Sequence, residues 1–415
     1  MKIVCDFHIH SKYSRATSKE TDLEHLACSA KRKGIDVLGT GDFSHPEWFR
    51  YLKESLEPDQ EGLFKMKKQD NGIRFILTNE ISCIYSKDGK VRKIHVLILA
   101  PSFETAEKIN VRLGLIGNLK SDGRPILGLD AKELAKIVLE ASEDCLVVPA
   151  HAWTPWFGIF GSKSGFDSIE ECFEEYSDRI YAIETGLSSD PSMNWRLKAL
   201  DSVSLISNSD AHSPGKIGRE ANVFDIGLSY PAIIGAIKEK NPERFLYTIE
   251  FYPEEGKYHY DGHRNCGVSL SPAESRKSNG ACPVCGKPLT VGVLSRVEQL
   301  ADRQEGFKPE NAVPFKSLIP LEEIITEAMG NASLTKAGAK EYENLIGKFG
   351  SSLKILLDAS RKDLEAETAP EIAEAIIRAR QGDVLIEPGY DGVFGRIRIF
   401  PAEKPGPGLK QKTLF

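Results

Sequence analysis

Seven short apolar runs punctuate the first part of the chain: Lys2–His8, Ile35–Thr40, Ile73–Thr78, Ile94–Leu99, Leu146–Pro149, Tyr181–Glu184 and Val203–Ser207. Most are continuously apolar rather than alternating, the pattern of strands buried on both faces. Helical stretches lie between them. In Leu23–Lys33, Leu23, Leu26, Ala27 and Ala30 share one face, Thr21 and Glu24 read as a capping box, and Gly34 closes the helix. About seven β/α units in one region predict a closed or nearly closed β/α barrel over residues 1–248.

Beyond it the pattern changes. Residues 249–292 are polar and rich in Gly, Pro, Cys and His. They carry too little apolar content for an independent core, so the segment is expected to need a metal staple. Residues 293–400 turn helical, most clearly at Leu321–Met329 and Glu371–Arg380, and finish in the strand-like run Gly395–Phe400. Residues 401–415 carry Pro, Gly and Lys and read as a flexible linker. There is no internal repeat.

The 415 residues are 41% hydrophobic and 27% charged, ordinary for a globular chain. No run approaches the roughly 20 apolar residues that a membrane helix needs. The amino terminus runs straight into a strand with no signal-peptide pattern, so the expected location is the cytoplasm. The net charge of −6 lacks the strong basic bias of many nucleic-acid binders. Ligand carboxylates lower the formal charge, however, and bound cations restore positive potential locally. Cys5, Cys28, Cys83, Cys145 and Cys172 sit in apolar or helical runs and read as small hydrophobes, with no disulfide framework.

Candidate chemistry gathers where the strands end. In His8-Ile9-His10, alternation along a strand puts both imidazoles on one face. The later runs deliver Asp42, Glu80, His151 and the pair Asp210 and His212. His95 fits least well, because it comes early in its strand. These are five histidines and three carboxylates, nearly all at carboxyl ends of predicted strands, the face where β/α barrels place their active sites. Mixed His and carboxylate donors suit Zn, Mn or Fe, and eight ligands are too many for one ion. Two or three ions a few Å apart are the usual arrangement for phosphate-ester hydrolysis. His25 reads as a structural histidine, as does His45, which is also a reserve ligand because it lies near Asp42.

After His151 comes a loop bearing Trp153, Trp156, Phe157 and Lys163. Exposed aromatics beside such a site could stack bases and Lys163 could meet a phosphate; alternatively, Trp153 and Trp156 cap the barrel. The run Gly158–Ser164 has the wrong spacing for a phosphate-binding GxxxxGK[ST] loop, and none occurs elsewhere. Further on, His263-Arg264-Asn265-Cys266-Gly267 and Cys282-Pro283-Val284-Cys285-Gly286 form two knuckles about fifteen residues apart. One His and three Cys with all positions filled describe a closed, structural Zn²⁺ site.

The ordered motifs His8-Ile9-His10-Ser11, Gly41-Asp42, Asn79-Glu80-Ile81-Ser82, Pro149-Ala150-His151 and Ser209-Asp210-Ala211-His212 resemble those of the PHP superfamily. That resemblance implies a PHP-type distorted β/α barrel with a trinuclear site in which Glu80 is the bridging carboxylate. Many members have a His directly after the Asp of the second motif. Here Asp42 is followed by Phe43, which leaves Asp42 or His45 as the ligand. With the aromatic loop, the Cys/His module and the helical C-terminal region, essentially the whole chain resembles the endonuclease Q family. The resemblance implies a metal-dependent DNA repair endonuclease that nicks 5′ to deaminated bases (hypoxanthine, uracil, xanthine) and abasic sites, with the lesion nucleotide flipped out. It also implies Zn²⁺ at the site, with Mg²⁺ or Mn²⁺ as further activating ions. The alternatives are a small-molecule phosphomonoesterase of the histidinol-phosphatase type and a non-catalytic DNA-binding scaffold. Finally, Gln411, Leu414 and Phe415 resemble a sliding-clamp-binding pentapeptide.

Overall fold

The computed structural model describes residues 1–401; the tail motif Gln411–Phe415 lies outside the described residues. All seven apolar runs form strands. They are β1 (Lys2–Asp6), β2 (Val37–Gly39), then, after a small hairpin of β3 (Leu56–Pro58) and β4 (Phe64–Met66), β5 (Arg74–Lys87) and β6 (Lys90–Ala100). A short β7 (Ile126–Leu127) precedes β8 (Leu146–Pro149), β9 (Ala182–Glu184) and β10 (Ser204–Ile206). Every residue of β2, β8, β9 and β10 is buried, as continuous apolar runs require.

The seven strands follow one another around a ring. β1 pairs with β2 and β2 with β5, both in parallel; β5 pairs with β6 and β6 with β8, both antiparallel; β9 and β10 are parallel. One or two backbone bonds make each of the remaining joints. Ala152 N–H donates to Glu184 O at 2.9 Å, and Ala211 meets His8 and His10 beyond the end of β1. The expectation of successive β/α units therefore needs correcting at β5 and β6. The two-residue turn Asp88-Gly89 joins them, with φ of 53° and 74°. A left-handed pair of this kind matches the twist of an antiparallel hairpin, and Asp-Gly supplies it cheaply. β6 thus runs against its neighbours, so its amino-terminal half reaches the face where the parallel strands end. That is why His95, early in its strand, still arrives at the site.

A wing extends the sheet past β1: β11 (Ala221–Asp225) antiparallel to β1, β12 (Phe245–Glu250) antiparallel to β11, and β15 (Phe315–Ser317) parallel to β12. The expected boundary at residue 248 falls inside β12, whose outer partner comes from the C-terminal part. In the helix Leu23–Lys33 the cap is Asp22, accepting from the His25 N–H, and not the Thr21 and Glu24 box. Thr21 donates its hydroxyl to Ser18 O instead.

The Cys/His segment forms a hairpin of β13 (Asp261–His263) and β14 (Val268–Leu270) with a capped helix Pro272–Lys277. Its own apolar cluster holds only Val268, Cys282 and Leu289 as buried members, too little to hold it by burial alone. Five helices follow between Leu321 and Gln381, then a hairpin of β16 (Leu385–Glu387) and β17 (Arg396–Arg398). These helices dock against Leu23–Lys33 through ion pairs of Lys33 with Glu322 and Arg32 with Glu343. Arg296 reaches back to the carbonyls of Phe160 (3.0 Å) and Phe166 (3.1 Å), tying the C-terminal part to the aromatic loop.

Candidate active site

His8 and His10 leave the end of β1 with Ile9 buried between them. Each imidazole is anchored by Nδ1. His8 Nδ1 lies 3.0 and 3.1 Å from the two Glu184 oxygens, and His10 Nδ1 lies 3.0 Å from Asp42 Oδ1. A carboxylate on Nδ1 fixes the ring and turns Nε2 outward as a donor atom. Both Nε2 atoms and Asp210 Oδ1 are buried without a hydrogen-bond partner among the described residues. Buried polar atoms are rarely left so. They converge, since His10 Nε2 is 3.2 Å from Glu80 Oε2 and 3.1 Å from Asp210 Oδ1. His8, His10, Glu80 and Asp210 form one group able to hold a cation, and Glu80, His95 and His151 form a second. In the second, Glu80 Oε1 lies 2.7 Å from His95 Nδ1 and 3.1 Å from His151 Nε2. Glu80 belongs to both groups, the place of a bridging ligand. The donor chemistry fits divalent ions.

The charges are matched within the site. Burial works against a charge on His8, but Glu184, Glu80 and Asp210 outweigh it and hold its pKa well above the ordinary value. Burial opposes a charge on His10 too, and Asp42, Asp210 and Glu80 overcome it. For Glu80 the burial penalty is exceeded by His95, Arg124 and His8, leaving the carboxyl well below the ordinary range. His95 goes the other way: burial brings it down to about 4 against the pull of Glu80. Asp42, His151 and Asp210 adopt φ of 50°, 31° and 46°, left-handed values that cost a non-glycine residue energy.

Two of the expected ligands lie outside both groups. Asp42 spends its carboxylate on His10 Nδ1, the Ser11 N–H (2.7 Å), the Ser11 hydroxyl (2.7 Å) and the Ser14 hydroxyl (2.8 Å). It orients His10 and stands outside the two ligand groups. His212 turns Nδ1 to the Asp210 carbonyl at 2.9 Å, its ring 4.6 Å from that of His10. The reserve candidate His45 also lies outside both groups: it caps the helix Pro46–Ser55 and stacks on Tyr13 at 4.3 Å. Six of the eight expected ligands thus gather in two groups, and among the described residues no further group joins them at this site.

The site also contains residues the sequence reading passed over. Glu184 ends β9, the same strand-end signal used for the other carboxylates. Arg124, on the loop before β7, places Nη1 3.1 Å from Glu80 Oε2. Gly123 beside it has no room for a side chain, since a Cβ would stand 2.2 Å from Asp42 Oδ2.

The aromatic loop splits. Trp153 is fully buried, its indole N–H donating to Asn194 Oδ1 at 2.8 Å, so it caps the barrel and offers no face to a substrate. Lys163 is exposed but lines neither cavity near the site. Trp156 is 40% exposed, and Phe157 packs 4.3 Å from the His95 ring. Both line a cavity of about 460 Å³ over the ligand groups, bordered by His95, Arg124, His151 and Asp210. They also line an adjoining pocket of about 470 Å³, walled by Tyr258, Lys257 and Phe394. The other module is assembled as expected, with His263, Cys266, Cys282 and Cys285 in one tetrad. Burial opposes ionisation of Cys282, but the N–H groups of Cys285 and Val284, with His263, bring its thiol down to about 6, whereas burial and the neighbouring Cys285 and Cys282 push Cys266 up to about 11.

Fold and site together define a metal-dependent hydrolase of the α/β class. The chain is 32% identical to the lesion-specific endonuclease PfuEndoQ of Pyrococcus furiosus, whose crystal structure superposes with a TM-score of 0.85 over 96% of this chain and 95% of that one. An endonuclease Q in complex with a 27-mer duplex carrying an abasic lesion at the active site gives 0.84, with 32% identity over 97% of each chain. The uncharacterised protein YqxK of Bacillus subtilis is 30% identical over 417 residues, covering 96% of this chain and 99% of that one. The uncharacterised protein MJ0043 of Methanocaldococcus jannaschii is 33% identical over 262 residues, 60% of this chain but 32% of its own length, so the match spans about a third of that relative. The family model for the MJ0043 C-terminal domain matches residues 320–383. The chain belongs to the endonuclease Q family.

Proposed function

We propose that this protein is a lesion-directed DNA endonuclease that cuts the phosphodiester 5′ to hypoxanthine, uracil, xanthine or an abasic site. The observation that carries this reading is the two ligand groups sharing Glu80 beneath a cavity that shares the wall Thr154, Trp156 and Phe157 with an aromatic pocket. The first 248 residues would be a PHP-type distorted barrel, residues 249–292 a Zn²⁺-held module, residues 293–400 the helical domain and residues 401–415 a tail with a clamp-binding motif. The walls of the aromatic pocket come from all three folded parts: Trp156, Tyr258 and Phe394. A small phosphomonoester would need no such composite wall.

Divalent ions held by the two groups would supply Lewis acidity to the phosphate and acidify a water molecule. The chain's own residues do the rest. Glu184 and Asp42 hold the His8 and His10 rings in place. The aromatic pocket receives an unstacked nucleotide, with Trp156 and Tyr258 offering faces and Lys257, which lies over the rings of both Tyr258 and Phe394, offering charge. Deaminated bases pair poorly and an abasic site has no base to unstack, so flipping costs least at these lesions.

The test is to incubate the protein with Mn²⁺ or Mg²⁺ and end-labelled duplexes bearing one hypoxanthine, uracil, xanthine or abasic site, and to map the products. A single nick on the 5′ side of the lesion is expected. Equal cutting of undamaged duplex, or turnover of histidinol phosphate alone, would overturn the reading.

A further inference from the structure

Two arginines line the cavity over the ligand groups. Arg15 is engaged with Asp122 at 3.2 Å, whereas Arg124 touches the shared ligand Glu80. The Arg124 loop is fixed on several sides. β7 pairs in parallel with β5 at Ser82↔Ile126 and Cys83↔Leu127, and the Ser82 N–H donates to Pro125 O at 3.1 Å. Asp122 Oδ1 accepts the backbone N–H of Arg124 at 3.1 Å and that of Arg15 at 3.2 Å. The guanidinium is therefore presented to the cavity by a rigid loop, with its side chain 25% exposed.

A second observation points to the same place. Ser82 follows Glu80 by two residues on β5 and so shares its face. It is 1% exposed, it lines the same cavity, and its hydroxyl has no hydrogen-bond partner among the described residues. The Ser82 hydroxyl thus has no partner, and the partner of the Arg124 guanidinium is the carboxylate shared by both ligand groups. Once Glu80 is engaged as a ligand in both groups, its charge no longer serves Arg124 alone. A phosphate group can satisfy both donors, its oxygens taking the planar fork of an arginine and a hydroxyl together.

We propose that Arg124 and Ser82 form the subsite for a non-bridging oxygen of the phosphate being cut. This rests on the nuclease reading and gives it a substrate-side contact. In hydrolysis the water oxygen bonds to phosphorus, the bond from phosphorus to the leaving sugar oxygen breaks, and a proton from the water ends on that oxygen. Negative charge builds on the non-bridging oxygens meanwhile, where Arg124 stabilises it.

Arg124→Met, Arg124→Lys and Ser82→Ala, prepared as metal-loaded enzyme, test the subsite. Metal content by mass spectrometry, melting temperature, inorganic phosphate affinity by calorimetry and single-turnover nicking of an abasic duplex are measured on each. Arg124→Met is expected to keep its metals and melting temperature, to weaken phosphate binding about tenfold or more and to slow nicking by roughly 10²–10³. Arg124→Lys should recover part of both losses and Ser82→Ala should show a smaller loss of each. Unchanged phosphate affinity in Arg124→Met overturns the subsite, and so does loss of metal in step with activity, which would make Arg124 only a support for Glu80. If the parent protein cuts no damaged duplex while Arg124→Met still weakens phosphate binding, the subsite stands and the nuclease reading falls.

Discussion

Glu184 grips His8 Nδ1 with both carboxylate oxygens, at 3.0 and 3.1 Å, and its Oε2 also takes the His151 N–H at 2.8 Å. One buried carboxylate thus sets a histidine in each ligand group. Glu184→Gln keeps the size but loses an acceptor and the charge that favours this tautomer. It is expected to fold normally and to weaken metal affinity by about 10–100-fold, read by chelator competition. His8→Ala and Asp210→Asn should abolish nicking with the fold intact. Full turnover in either would remove the assigned site.

Asp42 and His45, between which the sequence left the second-motif ligand open, both stand outside the two ligand groups. Asp42→Asn disturbs the His10 Nδ1 contact and should cost about 10–100-fold in metal affinity or activity. His45→Ala removes a helix cap, worth about 1 kcal/mol of stability, and should leave metal content unchanged. Loss of an ion in His45→Ala would restore it as a ligand.

Cys282→Ser breaks the tetrad that a three-member apolar cluster cannot replace. One equivalent of metal should disappear, with proteolysis appearing within residues 249–292, while the ions under Glu80 stay bound. An unchanged metal total would contradict this.

Trp153 and Trp156 should separate stability from binding. Trp153→Ala empties a fully buried position and is expected to cost about 3–5 kcal/mol. Trp156→Ala should melt like the parent but bind an abasic duplex more weakly by about 1–3 kcal/mol, the contribution of one stacking face. Equal affinity for the duplex would show that the pocket is not used.

Glu250 is expected to make the stability of the fold depend on pH. Burial pushes it up to about 8, against the hydroxyls of Thr248 and Thr185 that donate to it. Unfolded, it titrates near about 4.3. The folded state therefore carries the extra proton between those values, and its stability falls as pH rises through that window, with the loss complete above about 8. Glu250→Gln should melt higher than the parent near pH ~8.5, by on the order of a few kcal/mol at most, with the advantage vanishing toward pH ~5. The same difference at both pH values would refute the assignment.

Much of this was legible along the chain. Period-two spacing put His8 and His10 on one face, strand-end position marked Glu80, His151 and Asp210, and ligand count with spacing marked His263, Cys266, Cys282 and Cys285. These are local properties, set by residue type and backbone repeat. Tertiary structure decided the rest. The left-handed turn at Asp88-Gly89 reversed β6 and brought His95 to the site, which no reading of His95–Leu99 by itself could reveal. Asp42 and Asp210 look alike as strand-end carboxylates. Asp42 is consumed by Ser11, Ser14 and His10, while Asp210 keeps an oxygen free, and that depends on which donors the fold packs beside each. Trp153 and Trp156 stand three residues apart on one loop, yet only the packing around Asn194 and Phe160 determines that one is core and the other surface. Arg124 carries no local signal, because its role comes from a two-residue strand that seats it beside Glu80, 44 positions away along the chain.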